Sequence, residues 1–220
     1  MVSGKTEQEL IALYGGIAMD KQFDLGEMIG KNSWAVDVPL GQISFGQDMV
    51  YAMQMIGSLS HQDDSWMWAW ANTASNLPES LLVHATQLRQ VGEERGIDLL
   101  RLPQFKSSKD DLHLIGMIAS GMYDTSGYYL ADYGQGTLLV TIKDERLDQA
   151  RKEEDQRIVT VIPKLIGMFD MDHRLALTSY LRWKGYAVND DGRILRALRD
   201  QHIVTAEFDT QSRMIALNLT

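Results

Sequence analysis

The side chains best equipped for chemistry are scattered. His61, His84, His113, His173 and His202 fall in separate segments, and no serine sits in a Gly-x-Ser-x-Gly turn, so a nucleophile, base and acid could meet only through the fold. His61 with Asp63 and Asp64 occupies the stretch His61-Gln62-Asp63-Asp64-Ser65, which could hold a divalent cation, yet such turns also arise for conformational reasons alone. Ser3-Gly4-Lys5-Thr6 ends like a phosphate-binding loop but lacks the upstream glycine and the preceding strand. Gly134-Gln135-Gly136 lacks the third glycine and following helix of a dinucleotide loop and reads as a hairpin connection. The absence of cysteine excludes disulfides, thiolate metal sites and a cysteine nucleophile. No catalytic residue, metal ligand or cofactor is assigned.

Chemistry of another kind lies in Trp66-Met67-Trp68-Ala69-Trp70-Ala71-Asn72, which places three indoles at alternate positions. In an extended chain Trp66, Trp68 and Trp70 share one face. That stripe reads either as core or as an aromatic platform for a planar, sugar-like or apolar ligand, with Asn72 at its end as a turn residue or a ligand contact. Met49, Met53 and Met55 fit adaptable core filling and would equally line an apolar pocket.

The elements that must position these residues follow from periodicity. Thr6, Glu7 and Glu9 precede Leu10, Ile11, Leu13, Tyr14, Ile17 and Ala18, the order of a cap, an acidic first turn and an amphipathic helix. Strands are expected at Trp34 to Val38, Gln42 to Phe45, Val50 to Leu59 and along the tryptophan run, forming a meander. Helices are expected over Pro78 to Arg95, stopped by Gly96, and over Asp110 to Tyr123; Tyr128 to Leu130 and Thr137 to Ile142 close the pattern as a hairpin. The class is α+β with an antiparallel sheet.

Gly57-Ser58 with Trp66 through Asn72, and the strand bearing Trp34 and Asp37, resemble an uncharacterised bacterial domain family marked by a Trp-x-Trp-Ala-Trp-Ala-Asn strand. The resemblance covers roughly the first two-thirds of the chain and implies fold and origin; the family supplies no functional residues to carry over.

In residues 143–157, 11 of 15 are charged with no Gly or Pro, which suggests a solvated helix or linker between an acidic domain (1–142) and a second unit (158–220). There, Ile158 to Phe169, His173 to Lys184 behind Asp172, and Gly192 to Gln201 behind Asp190 read as three helices, followed by a hairpin from Val204 to Phe208 and Met214 to Leu219. That is a small helical domain of winged-helix-like outline. Arg193, Arg196 and Arg199, spaced by three on the third helix, with Arg213 in the hairpin, would then be nucleic-acid contacts. Asp190, Asp191 and Asp200 on the same segment, and a balance of 11 basic against 10 acidic residues over 151–220, oppose that reading.

Net charge is −9, concentrated in residues 1–150, where 20 acidic face 10 basic residues, so the first part repels phosphates and anionic membranes. No segment reaches the roughly 20 apolar residues of a membrane span, and the leading residues lack the basic and apolar regions of a signal peptide, so a cytoplasmic protein is expected. Three functions follow in order: a non-enzymatic binding or interaction module taking a protein partner or small molecule; a DNA-binding regulator; and an enzyme of unrecognised type. The edge of the C-terminal hairpin would pair copies into a homodimer.

Overall fold

Helix α1 (Glu7–Ile29) begins where the Thr6 hydroxyl accepts the main-chain N–H of Glu9 at 3.2 Å, satisfying one of the donors a helix start leaves open. The computed structural model describes residues 6–220; Ser3, Gly4 and Lys5 of the phosphate-loop-like run lie outside them. The chain packs as two compact units: residues up to Asp20 with Lys152–Thr220, and Lys21–Arg151. The fold is α+β with antiparallel sheets.

The larger unit runs β1 (Trp34–Asp37), β2 (Gln42–Phe45), β3 (Met49–Ser60) and β4 (Ser65–Trp68). Next come α2 (Val83–Arg95), α3 (Asp98–Arg101), β5 (Gln104–Lys106) and α4 (Lys109–Met122), then β6 (Gly127–Asp132), β7 (Gly136–Lys143) and α5 (Glu145–Gln149). These strands make one seven-stranded sheet. The long strand β3 is its spine. One edge pairs with β7 from Ala52 to Ser60; the other pairs with β2 from Met49 to Ala52 and with β4 from Gly57 to Ser60. The closing hairpin expected from sequence therefore inserts β7 beside β3. The charged segment is not one helix: α5 ends at Gln149, and a 3-10 turn follows at Asp155–Arg157.

Register opposes Gly57 to Trp68 and Leu139, and Leu59 to Trp66 and Thr137, so these side chains share one face of the sheet. Helical residues reach down onto it. Trp68 Nε1 donates to the Leu99 carbonyl at 3.2 Å, His84 Nδ1 of α2 lies 2.9 Å from Thr141 Oγ1, and His113 Nδ1 of α4 lies 2.8 Å from the Tyr128 hydroxyl. Trp66 and Trp68 are both 0 % exposed and meet edge to face at 5.5 Å. Room for the indole comes from Gly57, where an added Cβ would fall 2.4 Å from Trp66 Cζ2. The opposite face carries Trp34, Phe45 and Tyr129, with Phe45 against Tyr129 at 4.8 Å.

Helix α4 starts with a reciprocal capping box between Ser108 and Asp111, as its sequence dictates. Lys21, 1 % exposed, donates to Asp124 Oδ1 at 2.5 Å and to the Thr125 carbonyl at 2.7 Å. Burial holds its ammonium below the ordinary lysine range, against the opposing pull of Asp124.

The smaller unit combines the first part of α1 with α6 (Ile158–Met168), α7 (His173–Trp183) and an antiparallel sheet of β8 (Ala187–Asp190), β9 (Ile194–Arg199), β10 (His202–Phe208) and β11 (Met214–Leu219), in the order β11-β10-β9-β8. Helix α7 is capped by Asp172, whose carboxylate accepts the Leu175 N–H at 2.9 Å. Gly16 lets α1 meet α7 closely, since a Cβ there would sit 2.9 Å from Tyr180 Cβ. Asp20, 3 % exposed, gathers Arg157 Nη1 at 2.8 Å, the Tyr180 hydroxyl at 2.5 Å and Lys184 Nζ at 3.2 Å.

One expectation fails here. The segment Gly192 to Gln201 holds strand β9, not a third helix, so residues 158–220 run as two helices followed by four strands and do not carry the expected order of three helices and a hairpin. Arg-Ile-Leu-Arg-Ala-Leu-Arg satisfies a helical period of three and also an alternation in which Leu195 and Ala197 are buried while Arg196 and Leu198 are exposed. Cross-strand pairing with β8 and β10 decides between them.

Candidate functional site

The sheet of the larger unit has a gap. Strands β2 and β4 share one edge of β3 but not its whole length, because β2 leaves after Gly41, whose carbonyl accepts the Met53 N–H at 2.9 Å, and β4 joins only at Gly57. Among the described residues no strand pairs with that edge over Gln54–Ile56. The opposite edge is irregular at the same place: between Met55 and Gly57 the register to β7 shifts by one residue, leaving Ile56 as a bulge.

Over the gap lies a cleft of about 380 Å³. Its floor is Met55, Gly57 and Ser58 of β3 and Leu138 of β7; its walls are Val38 and the segment from Ala69 to Leu77. The local sequence dictates that wall. After Trp68 the chain turns through two 3-10 segments, Ala69–Ala71 and Thr73–Ser75, then passes Asn76 in a left-handed conformation (φ 44°). Asn72 joins the two 3-10 segments, its side-chain oxygen accepting the Ser75 N–H at 3.3 Å. Apolar Val38, Met55, Leu77 and Leu138 thus face a few small polar groups, Ser58, Asn72 and Ser75.

Gln54 fixes the neighbouring rim. Its amide donates to the Ser80 carbonyl at 2.8 Å and accepts the Val83 N–H at 3.0 Å, tying the start of α2 to β3. Beside it, a smaller cleft of about 250 Å³ is lined by Ala52, Met53, Val83, His84 and Lys143. His84 stacks on Tyr123 at 4.6 Å, and burial pushes its pKa below the ordinary imidazole value, which keeps the ring neutral. Lys143 is engaged by Asp148 at 2.8 Å and donates to the Asp124 carbonyl at 2.7 Å.

The tryptophan run divides between core and rim. Trp66 and Trp68 are sealed on the helix-covered face, and strand β4 stops at Trp68, so Trp70 leaves the expected stripe for a 3-10 turn. There the Arg89 guanidinium lies 4.6 Å from its ring centroid. Of that run, Asn72 and Ala69 line the cleft over β3, while Trp70 lines another of about 560 Å³ with Glu79, Gln87 and Arg89.

The arginines are spread apart by the strand. A spacing of three aligns residues on a helix but alternates them between the faces of a strand. Arg193 lies in the bend before β9, with its N–H on Asp191 Oδ1 at 3.0 Å. Arg196 is exposed on β9. Arg199 pairs with Asp155 at 2.5 Å and stacks on Tyr186 at 5.1 Å, and Arg213 pairs with Asp209 at 2.8 Å.

His61 is hydrogen-bonded on both ring nitrogens, to the Gly134 carbonyl at 3.1 Å and to Thr137 Oγ1 at 2.9 Å. Among the described residues no group of three or more His, Cys, Asp or Glu is placed to hold a metal ion, and no helix is long and apolar enough to cross a membrane. Sequence reasoning missed Leu77 and Leu138 as cleft residues; the signal within reach was Met55, whose flexible side chain suits a pocket as well as a core.

A protein-family model described as a family of unknown function (DUF6882) matches residues 8–145. No curated protein and no solved structure matches the chain. Because the matched region is more than half of the 220 residues, the chain belongs to the DUF6882 family, a family of unknown function.

Proposed function

We propose that the larger unit is a non-enzymatic binding module and that its ligand, small and mainly apolar, enters the cleft over β3. One observation carries the reading: about 380 Å³ of concave space lined by Val38, Met55, Leu77 and Leu138, with Ser58, Asn72 and Ser75 as the polar groups. That size and lining match small-molecule sites, which pair an apolar wall with a few orienting polar groups. The gap in the edge pairing and the bulge at Ile56 lie beneath it, and bulges gather at functional positions. His61 is held by two hydrogen bonds and Lys143 by its carboxylate partner, which leaves the apolar cleft as the feature on which the reading rests. The acidic, cysteine-free composition supports a cytoplasmic setting.

The test is titration with 1-octanol, followed by methyl shifts of Leu77 and Leu138 in an NMR spectrum. Saturable shifts in the native protein, abolished by Leu138→Trp with near-ultraviolet dichroism retained, support the module. Linear, non-saturating shifts identical in both proteins would sink it.

A further inference from the structure

The gap in the sheet leaves main-chain groups as well as apolar side chains without a neighbouring strand. In an antiparallel strand the N–H and C=O of one residue point together to one edge, and those of the next residue to the other. The Met53 N–H goes to Gly41 on the β2 side. Ser58 is opposed by Met67 of β4, and Gln54 by Thr141 of β7. By alternation Met55, opposed by Val140 of β7, directs its N–H and C=O to the edge where β2 has ended and β4 has not begun. Among the described residues no turn or loop main-chain hydrogen bond goes to either group, and β2 and β4 do not reach them. Met55 is 5 % exposed and lines the cleft. A buried donor and acceptor side by side, without a ladder partner, call for one, since such groups are nearly always paired.

From this we infer that the cleft takes an extended, apolar peptide segment, which completes the ladder at Met55 and buries an aliphatic side chain against Leu77 and Leu138. The inference rests on the ligand-binding reading of the cleft and names its ligand class. Chain geometry sets the length. Met53 to Gly57 spans about 13 Å at the rise of a β-strand, which is room for about three residues in extended form. Main-chain pairing gives affinity and the Val38, Met55, Leu77, Leu138 lining gives selectivity, the division of labour of strand addition to a sheet edge. The polar residues are small and uncharged, so an aliphatic side chain fits where an acidic or basic one would lose its hydration without gaining a partner.

N-acetyl-leucine N-methylamide and its ester analogue O-acetyl-leucic acid N-methylamide, in which oxygen replaces the leucine N–H that would meet the Met55 carbonyl, are titrated into the full chain alongside 1-octanol, with the Met55 main-chain amide followed by proton–nitrogen NMR. The amide is expected to bind roughly tenfold more tightly than the ester and to move the Met55 amide proton downfield. If octanol saturates the site while amide and ester bind equally and the Met55 amide stays in place, the cleft is an apolar pocket and the peptide inference is overturned. If none of the three binds, the inference and the binding-module reading fall together. Leu138→Trp, which fills the cleft, abolishes the Met55 shift if that shift reports binding; its survival would also overturn the inference.

Discussion

Asp20 and Lys21 are neighbours on α1, both buried, and each is neutralised in a different unit. Asp20 takes Arg157, Tyr180 and Lys184 from the smaller one, while Lys21 takes Asp124 and the Thr125 carbonyl from the larger. The two sites are unequal. The groups facing Asp20 include two cations whose side chains are 8 % and 4 % exposed, whereas the acid facing Lys21 is 74 % exposed. Removing a buried acid strands its cations, and stranded buried charge costs about 3–5 kcal/mol. Asp20→Asn is therefore expected to destabilise the smaller unit by that amount, with faster amide exchange in α6 and α7. Lys21→Met leaves Asp124 to solvent but takes the donor from the buried Thr125 carbonyl, and is expected to cost about 1–3 kcal/mol, less than Asp20→Asn. Urea melts resolved by hydrogen exchange decide, and equal effects of the two substitutions would refute the distinction.

Gly57 carries a sharper steric prediction. Its added Cβ would lie 2.4 Å from Trp66 Cζ2 and 2.5 Å from the Met67 carbonyl oxygen, and the second neighbour is backbone that cannot rotate away. Gly57→Ala is expected to cost about 1–3 kcal/mol, the range for overpacking a filled core, and to shift the emission of the buried indoles to the red. Unchanged melting and emission would show that the strand opens at no cost.

Gln54 closes the rim by serving one acceptor and one donor at once. Gln54→Ala leaves the Ser80 carbonyl and the Val83 N–H without that partner and is expected to cost about 1–3 kcal/mol. Exchange should accelerate first at the N-terminal turn of α2, ahead of the rest of the sheet. Loss spread evenly over the unit would contradict a local clip.

How far these features could be read in advance depended on whether the deciding contact was local. Thr6 and Asp172 act within a turn of their own helices, and such caps are written in the order of residues. The segment Arg193 to Arg199 fits two periods, and pairing with β8 on one edge and β10 on the other selects the strand. Likewise the expected indole stripe extends to Trp70, but pairing with β3 stops at Trp68, where the chain leaves the ladder. The short strand Gln104–Lys106 carries no period of its own and exists because β4 offers an edge. The cleft was the least legible feature: it arises where two strands fail to meet along β3, a relation between Gly41, Met55 and Trp68 that no spacing encodes.

His84 makes stability depend on pH. The ring stacks on Tyr123 from the end of α4, meets Thr141 from β7, and lines a small cleft with Lys143, whose ammonium is paired with Asp148, so a proton on the ring would be buried without a charge partner of its own. Burial therefore lowers its folded pKa below the ordinary value of 6.5. The unfolded chain then binds this proton first as pH falls, and stability varies with pH in proportion to the protons bound by the unfolded state minus those bound by the folded state. The contribution is fully present above the unfolded pKa and is lost as pH falls from about 6.5 toward the folded value. His84→Gln retains a polar group for Thr141 and removes the titration. The native protein should lose stability on going from pH 7 to pH 5 more steeply than this variant, measured by urea denaturation. Parallel slopes for the two proteins would place the pH sensitivity elsewhere.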